Sequence, residues 1–191
     1  MTVVSFFLTH AEVVVEPARP IESWGLSDAG RSRAARAVDV ARHPEVRRIV
    51  SSEERKAVET AAVLGTATGI VPTTHGALGE IDRSATGYLP FEEFEGVVDA
   101  FFSAPEESVR GWERAVDAQA RIVEAVRRLT ADDDAGDVTI VSHGAVGALL
   151  LADLRGVPIS RALDQPGMGS VFAFDPRTWR ATSDWRRVPA R

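Results

Sequence analysis

Apolar residues along the chain fall into short runs that alternate with stretches at helical spacing. Residues 3–8 and 138–141 are almost entirely apolar and rich in β-branched and aromatic side chains, which is typical of strands buried on both faces. The same criteria predict further strands at 46–50, 69–72 and 170–174. Helices are predicted after Ser27 and at about 53–64, 91–102, 108–131 and 145–155. This alternation indicates an α/β fold built on a mostly parallel sheet.

The composition narrows the class of protein. Of 191 residues, 45% are hydrophobic and 26% are charged, and the formal net charge is -6. This content favours a folded domain over a disordered chain, and the acidic balance argues against binding to nucleic acid. No run approaches the roughly 18 apolar residues of a membrane span, so we expect no membrane association. The N-terminal apolar run stops at His10 and lacks a basic region before it, which favours a strand over a signal peptide. We therefore expect a single domain, 1–191, in the cytoplasm.

Polar side chains follow three of the predicted strands at the point where each strand ends. His10 follows 3–8, His143 follows 138–141, and Ser51-Ser52 follow 46–50. The carboxyl ends of parallel strands meet at one edge of a sheet, where ligands bind. A single histidine at such a position is more often structural, but two of only four histidines in the chain stand at equivalent points. The sequence therefore predicts a functional site that contains His10 and His143.

These motifs, taken in order along the chain, resemble those of the histidine phosphatases, also called the phosphoglycerate mutase-like superfamily. The family's Arg-His-Gly appears here as Thr9-His10-Ala11, and its second histidine motif as Val141–Gly144, Val-Ser-His-Gly. Residues 51–61 are similar to its Ser-Ser-x-x-x-Arg-Ala-x-Gln-Thr-Ala segment, and 78–81 to the Leu-x-Glu segment that carries an acid. The resemblance extends over about residues 3–150.

The resemblance implies a fold, an activity and a set of roles. The fold is a three-layer α/β/α sandwich with a mostly parallel sheet, phosphoglycerate mutase-like, with a helical insert at about 88–110. The activity is hydrolysis of a small phosphomonoester through a phosphohistidine, without a metal or another cofactor. In that reaction His10 is the nucleophile, His143 binds the transferring phosphoryl oxygens, and Glu80 is the general acid and base.

Two positions differ from the family pattern. Thr9 stands where the family has the arginine before the nucleophile, and Lys56 stands where it has the second arginine. Arginine offers phosphate a rigid bidentate fork, whereas lysine is a point charge and threonine supplies one hydroxyl. We expect Thr9 and Lys56 to contact phosphate, and Arg55 or Arg83 to replace part of the lost guanidinium charge.

Two other functions stay open at this point. One is a mutase that moves phosphate within a sugar acid, and the other is a phospho-ligand binding protein without catalysis. The missing arginines favour the binding protein, whereas retention of His10, His143 and Glu80 favours an enzyme. The sequence leaves the substrate and the oligomeric state open.

Overall fold

The computed structural model describes residues 4–44, 46–132 and 136–189, and its core is a central sheet. Residue 3, which begins the predicted first strand, lies outside the described residues. Within them the strands are β1 Ser5–Thr9, β2 Val46–Ser51, β3 Thr73–Thr74, β4 Asp137–Ser142, β5 Ser170–Asp175, β6 Arg180–Ala181 and β7 Arg186–Arg187.

The sheet is parallel where it forms the site and antiparallel at one side. Its order is β3-β2-β4-β1-β5-β6, and β7 also pairs with β5. Strands β1, β2, β3 and β4 are mutually parallel, whereas β5 runs antiparallel to β1, β6 and β7. The register aligns Thr9 with Ser142 and Ser51 with Val141. The three strand ends that carry the candidate residues therefore lie side by side, as the sequence predicts.

Helices cover both faces of the sheet. They are α1 Asp28–Arg36, α2 Val38–Ala41, α3 Arg55–Thr68, α4 Phe91–Ser103, α5 Ala115–Leu129 and α6 Gly144–Arg155. One apolar core joins alternate residues of β1 and β4, such as Phe7 and Ile140, to α4, α5 and α6. A second core joins Leu8 and Val141 to α2 and α3. This arrangement confirms the predicted three-layer α/β/α fold, because each buried strand supplies side chains to both cores.

Two elements begin four or more residues later than predicted, and backbone conformation explains both. The third strand is Thr73–Thr74 and not 69–72, because α3 continues to Thr68 and ends at Gly69, whose φ is 76°. The helix predicted from 108 begins at Ala115, because Arg110 and Gly111 have φ values of 54° and 82° that no right-handed helix accepts. Helix α4 lies within the predicted insert at 88–110. Among the described residues, no helix has both the length and the apolar character to cross a membrane.

Candidate active site

His10 lies just beyond β1 with one ring nitrogen already in use. Its backbone N–H donates to the carbonyl of Ser142 at 2.9 Å, which continues the pairing of β1 with β4. Its Nδ1 lies 2.8 Å from the carbonyl oxygen of Ala11. A carbonyl can only accept, so Nδ1 carries the hydrogen and Nε2 keeps its lone pair. Burial lowers the pKa of His10 to about 4, and the bond to Ala11 opposes this shift only in part. At neutral pH the ring is therefore neutral, with Nε2 available as a nucleophile.

His143 faces His10 from the end of the neighbouring strand. The two ring centroids are 5.2 Å apart with an interplanar angle of 64°. The side chain of His143 is fully buried, and burial holds its pKa well below the usual value. Its Nε2 lies 2.9 Å from Oγ of Ser52 and 3.2 Å from Oε1 of Glu54. The structure thus brings the two predicted histidines into one site.

The carboxyl group of Glu80 lies at the N-terminus of α6, the helix that follows His143. Its Oε1 accepts from the backbone N–H of Val146 at 3.2 Å, and its Oε2 from that of Ala145 at 3.3 Å. Burial raises the pKa of this carboxyl, and the negative charge of Glu54 raises it further. A carboxyl group that keeps its proton above the usual range is suited to act as a general acid.

A clamp from α5 holds the segment that carries Glu80. Arg121 donates through one terminal nitrogen to the carbonyls of Ala77 and Gly79, both at 2.9 Å. Its other nitrogens pair with the carboxylate of Glu113, at 2.8 Å and 2.9 Å. Sequence reasoning missed Arg121. Nothing in the sequence distinguishes an arginine of an amphipathic helix that binds distant carbonyls from one that points into solvent.

Glu54 is a second residue that sequence reasoning missed, and it lies within the site. Its Oε1 accepts from the backbone N–H of Glu80 at 2.9 Å, and its Oε2 pairs with Nζ of Lys56. Burial by itself raises the pKa of Glu54, but the neighbouring His143 and Lys56 outweigh it and the pKa falls below its ordinary value. This carboxylate is therefore ionised. Its position at the start of α3 resembles any acidic residue at a helix N-terminus, so the sequence holds no specific signal for it.

The predicted phosphate-binding cations differ in where they point. Lys56 is buried and bonds to Glu54 and to the carbonyl of Ile21, at 3.1 Å. The positive charge of Arg83 acts on both His10 and Glu80. It contributes to the lowered pKa of His10, and it opposes in part the rise that burial causes in the pKa of Glu80. Arg55 turns away, because its Nε pairs with Glu59 at 2.8 Å and half of its side chain is exposed.

Thr9 is buried, and its hydroxyl is fully engaged. The hydroxyl lies 2.6 Å from Oε1 of Gln165, and it accepts from the backbone N–H of Ser170 at 3.0 Å. Gln165 lies directly over Gly144, where an added Cβ would come within 2.4 Å of the glutamine Nε2. The threonine thus fixes a neutral amide beside the second histidine motif, a contact across 156 positions that no local pattern indicates.

The site combines a neutral imidazole, a second buried histidine, a buried carboxyl group with a raised pKa and two cations. These groups can attack a phosphoryl group, neutralise its charge and protonate a leaving group. Within the described ranges, no three His, Asp or Glu side chains are grouped so as to hold a metal ion.

Comparison with known proteins places this chain among the histidine phosphatases. A model of the histidine phosphatase superfamily, branch 1, matches residues 18–183. This range contains Glu80 and His143 and begins after His10. Glucosyl-3-phosphoglycerate phosphatase of Mycobacterium tuberculosis is 29% identical, over 76% of this chain and 71% of that protein. The protein of the same name from Mycolicibacterium vanbaalenii is 30% identical, over 76% and 70%.

Solved structures of the same enzyme as the sequence relatives share the fold of this chain. The native structure of a mycobacterial glucosyl-3-phosphoglycerate phosphatase superposes with a TM-score of 0.76 at 26% identity, over 96% of this chain and 95% of that chain. Structures of that enzyme with VO3 and with inorganic phosphate superpose with TM-scores of 0.76 and 0.73. YhfR of Bacillus stearothermophilus has a TM-score of 0.76 at 25% identity, over 90% of both chains.

Proposed function

This chain belongs to the histidine phosphatase superfamily, and we propose that it hydrolyses a small phosphomonoester through a phosphohistidine formed on His10. The observation that carries this proposal is the hydrogen bond from Nδ1 of His10 to the carbonyl of Ala11, at 2.8 Å. It leaves the lone pair on Nε2, and the low pKa of His10 keeps the ring neutral. A fixed, unprotonated imidazole is the form that attacks phosphorus.

In the first step Nε2 of His10 attacks the phosphorus atom in line with the leaving oxygen. The N–P bond forms, the P–O bond to the leaving group breaks, and the carboxyl group of Glu80 gives its proton to the departing alkoxide. Lys56, Arg83 and His143 stabilise the negative charge on the transferring oxygens. The products of this step are the free alcohol, phospho-His10 and ionised Glu80.

In the second step a water molecule takes the place of the alcohol. The Glu80 carboxylate removes a proton from the water as its oxygen attacks phosphorus. The P–O bond to the water oxygen forms, the P–N bond breaks, and inorganic phosphate leaves. His10 is again neutral and Glu80 is again protonated, so the cycle closes without an added reactant.

The sequence leaves three functions open: a phosphatase, a mutase and a binding protein. The comparisons do not favour the last two, since the sequence relatives are named phosphatases. The relatives are named for a phosphorylated glyceric acid derivative, so such compounds are the first that we propose to test. The cytoplasmic location and the single-domain organisation stay predictions.

The proposal is tested by screening the purified protein against phosphomonoesters, beside His10→Ala and the control His43→Ala. His43 precedes β2, at the opposite end of that strand from the site, and packs edge-on against Phe6. We expect release of phosphate by the wild type and by His43→Ala, and none by His10→Ala. Equal activity of the two variants would contradict the proposal.

A further inference from the structure

The carboxylate of Glu54 makes more contacts in the site than its place in the sequence suggests. Three groups from three segments converge on it: the backbone N–H of Glu80, Nζ of Lys56 and Nε2 of His143. Four fifths of its side chain is buried, with 17% exposed. An ionised carboxylate in such a place is stable because the three groups that contact its oxygens are hydrogen-bond donors or cations.

The contact with Glu54 decides which ring nitrogen of His143 carries a proton. A carboxylate has no hydrogen to give, so a nitrogen 3.2 Å from Oε1 is stable there only as an N–H donor. Oγ of Ser52, 2.9 Å from the same nitrogen, already accepts from the backbone N–H of Glu54 at 3.1 Å and can accept a second hydrogen. Glu54 therefore favours a hydrogen on Nε2 of His143, and Ser52 is able to accept it.

The other nitrogen of His143 is left for a ligand. Nδ1 lies on the far side of the ring from Ser52 and Glu54. It is buried and has no hydrogen-bond partner among the described residues. A buried polar atom without a partner is unfavourable, so a group that supplies a hydrogen bond there gains free energy. A phosphoryl group about to be transferred from the substrate to His10, whose ring is 5.2 Å away, can supply it.

We propose that Glu54 is a positioning residue, which holds the proton of His143 on Nε2 and so presents Nδ1 to the phosphoryl group of the substrate. This inference rests on the proposed function. The substrate binds as a monoanion, and the proton of its P–O–H group passes to Nδ1. The phosphoryl group then carries two negative charges, and His143 becomes an imidazolium that donates to it through Nδ1. After hydrolysis the imidazolium returns this proton to the departing inorganic phosphate, so His143 is again neutral. Glu54 stabilises the new positive charge, as the acid does for histidine in a Ser-His-Asp triad.

A competing role for the same carboxylate leads to the opposite result on substitution. Glu54 also pairs with Lys56, so it could act mainly as an internal anion that lowers the affinity of the site for phosphate. Under that role, removing its charge frees Lys56 and tightens the binding of phosphate analogues. Under the positioning role, the same change removes the support for an imidazolium at His143 and slows the reaction.

The variant that separates the two roles is Glu54→Gln, with Glu53→Gln as its matched control. Glu53 is the exposed neighbour of Glu54, so its substitution changes the net charge equally but leaves the site intact. We expect kcat to fall about ten- to hundredfold in Glu54→Gln, which corresponds to one lost charge-assisted hydrogen bond. We expect the inhibition constant of orthovanadate to rise, and Glu53→Gln to match the wild type. An unchanged kcat with tighter vanadate binding would overturn the proposal.

A measurement on the unsubstituted protein keeps the proposal testable if Glu54→Gln does not fold. Nitrogen-15 NMR of the histidine side chains reports which ring nitrogen is protonated. We expect His143 with the hydrogen on Nε2 in the free protein, and with hydrogens on both nitrogens when orthovanadate is bound. A hydrogen on Nδ1 in the free protein contradicts the assignment. An error in the role of Glu54 can be told apart from an error in the proposed function. If the proposed function is wrong, the wild type forms no phospho-His10.

Discussion

The guanidinium carbon of Arg83 lies 4.9 Å from the centre of the Phe94 ring, so the segment after Glu80 is joined to α4 by a cation–π contact. The contact holds a positive charge near His10 and Glu80. Arg55, in contrast, is paired with Glu59 at 2.8 Å outside the site. Of the two arginines that the sequence offers as replacements for the missing family arginine, the geometry favours Arg83.

The first prediction concerns these cations. Arg83→Ala is expected to lower kcat/KM about ten- to hundredfold, because a charge-assisted hydrogen bond contributes roughly 1.5–3 kcal/mol. Arg55→Ala is expected to change it little, and Lys56→Ala to lose less than Arg83→Ala because Lys56 is partly neutralised by Glu54. The measurement is kcat/KM on one substrate, with circular dichroism to check folding. Near wild-type activity of Arg83→Ala would rule out the compensation.

The second prediction identifies the phosphorylated atom. Rapid quenching with labelled substrate is expected to place an acid-labile phosphate on His10, because the bond of its Nδ1 to the Ala11 carbonyl leaves a free lone pair on Nε2 of a neutral ring. The free nitrogen of His143 is instead expected to take up the proton of the substrate. Peptide mapping of the quenched protein checks the position. Label on His143, which is 5.2 Å away, would reverse the roles of the two histidines.

The third prediction is a bell-shaped dependence of kcat/KM on pH. The nucleophile must be neutral, and the pKa of His10 is about 4, so activity rises as the pH increases through that value. The acid must be protonated, and the pKa of Glu80 is raised, so activity falls only at a pH above the ordinary carboxyl range. The profile is measured at substrate concentrations below KM.

Glu80→Gln provides the control for that profile. It removes the proton donor, so we expect a large loss on alkyl phosphates and the disappearance of the high-pH limb that Glu80 causes. An aryl phosphate with an acidic phenol needs no proton on its leaving group, so much of the first step should be retained. Equal losses on both substrates would argue against Glu80 as the acid.

The fourth prediction is that turnover survives EDTA. The charge of the phosphoryl group is expected to be met by Lys56 and Arg83, so chelation removes nothing that the reaction uses. Initial rates are compared before and after prolonged incubation with EDTA, and after gel filtration into metal-free buffer. Activity that returns only with added Mg²⁺, Mn²⁺ or Zn²⁺ would show that a metal takes part.

The fifth prediction concerns the clamp on the Glu80 segment. Arg121→Lys keeps the charge but cannot reach two carbonyls and the Glu113 carboxylate together. Both kcat and Tm are expected to fall, since each buried group left unsatisfied costs about 1–3 kcal/mol. Arg128→Lys, on an exposed pair with Glu124, is the control and should change neither. A fall in Tm alone would make Arg121 a purely structural residue.

The sequence by itself determined the order of strands and helices and the place where the site forms. Apolar runs are visible in the sequence because burial on two faces demands them, and parallel strands bring their carboxyl ends to one edge. The adjacency of His10 and His143 follows from this, and the register of Thr9 with Ser142 confirms it. The family resemblance added Glu80, whose carboxyl group the structure places on the backbone N–H groups of Ala145 and Val146, just after His143.

Only the tertiary structure decided which way the polar side chains point. Thr9 and Gln165 meet at 2.6 Å across 156 positions, and Glu54 meets His143 at 3.2 Å from another strand end. Arg55 and Lys56 are adjacent in sequence, yet one is exposed and the other is buried. Hydrophobic periodicity specifies which face of an element is buried, whereas the partners of a polar side chain depend on which distant donors the packed elements bring within about 3 Å.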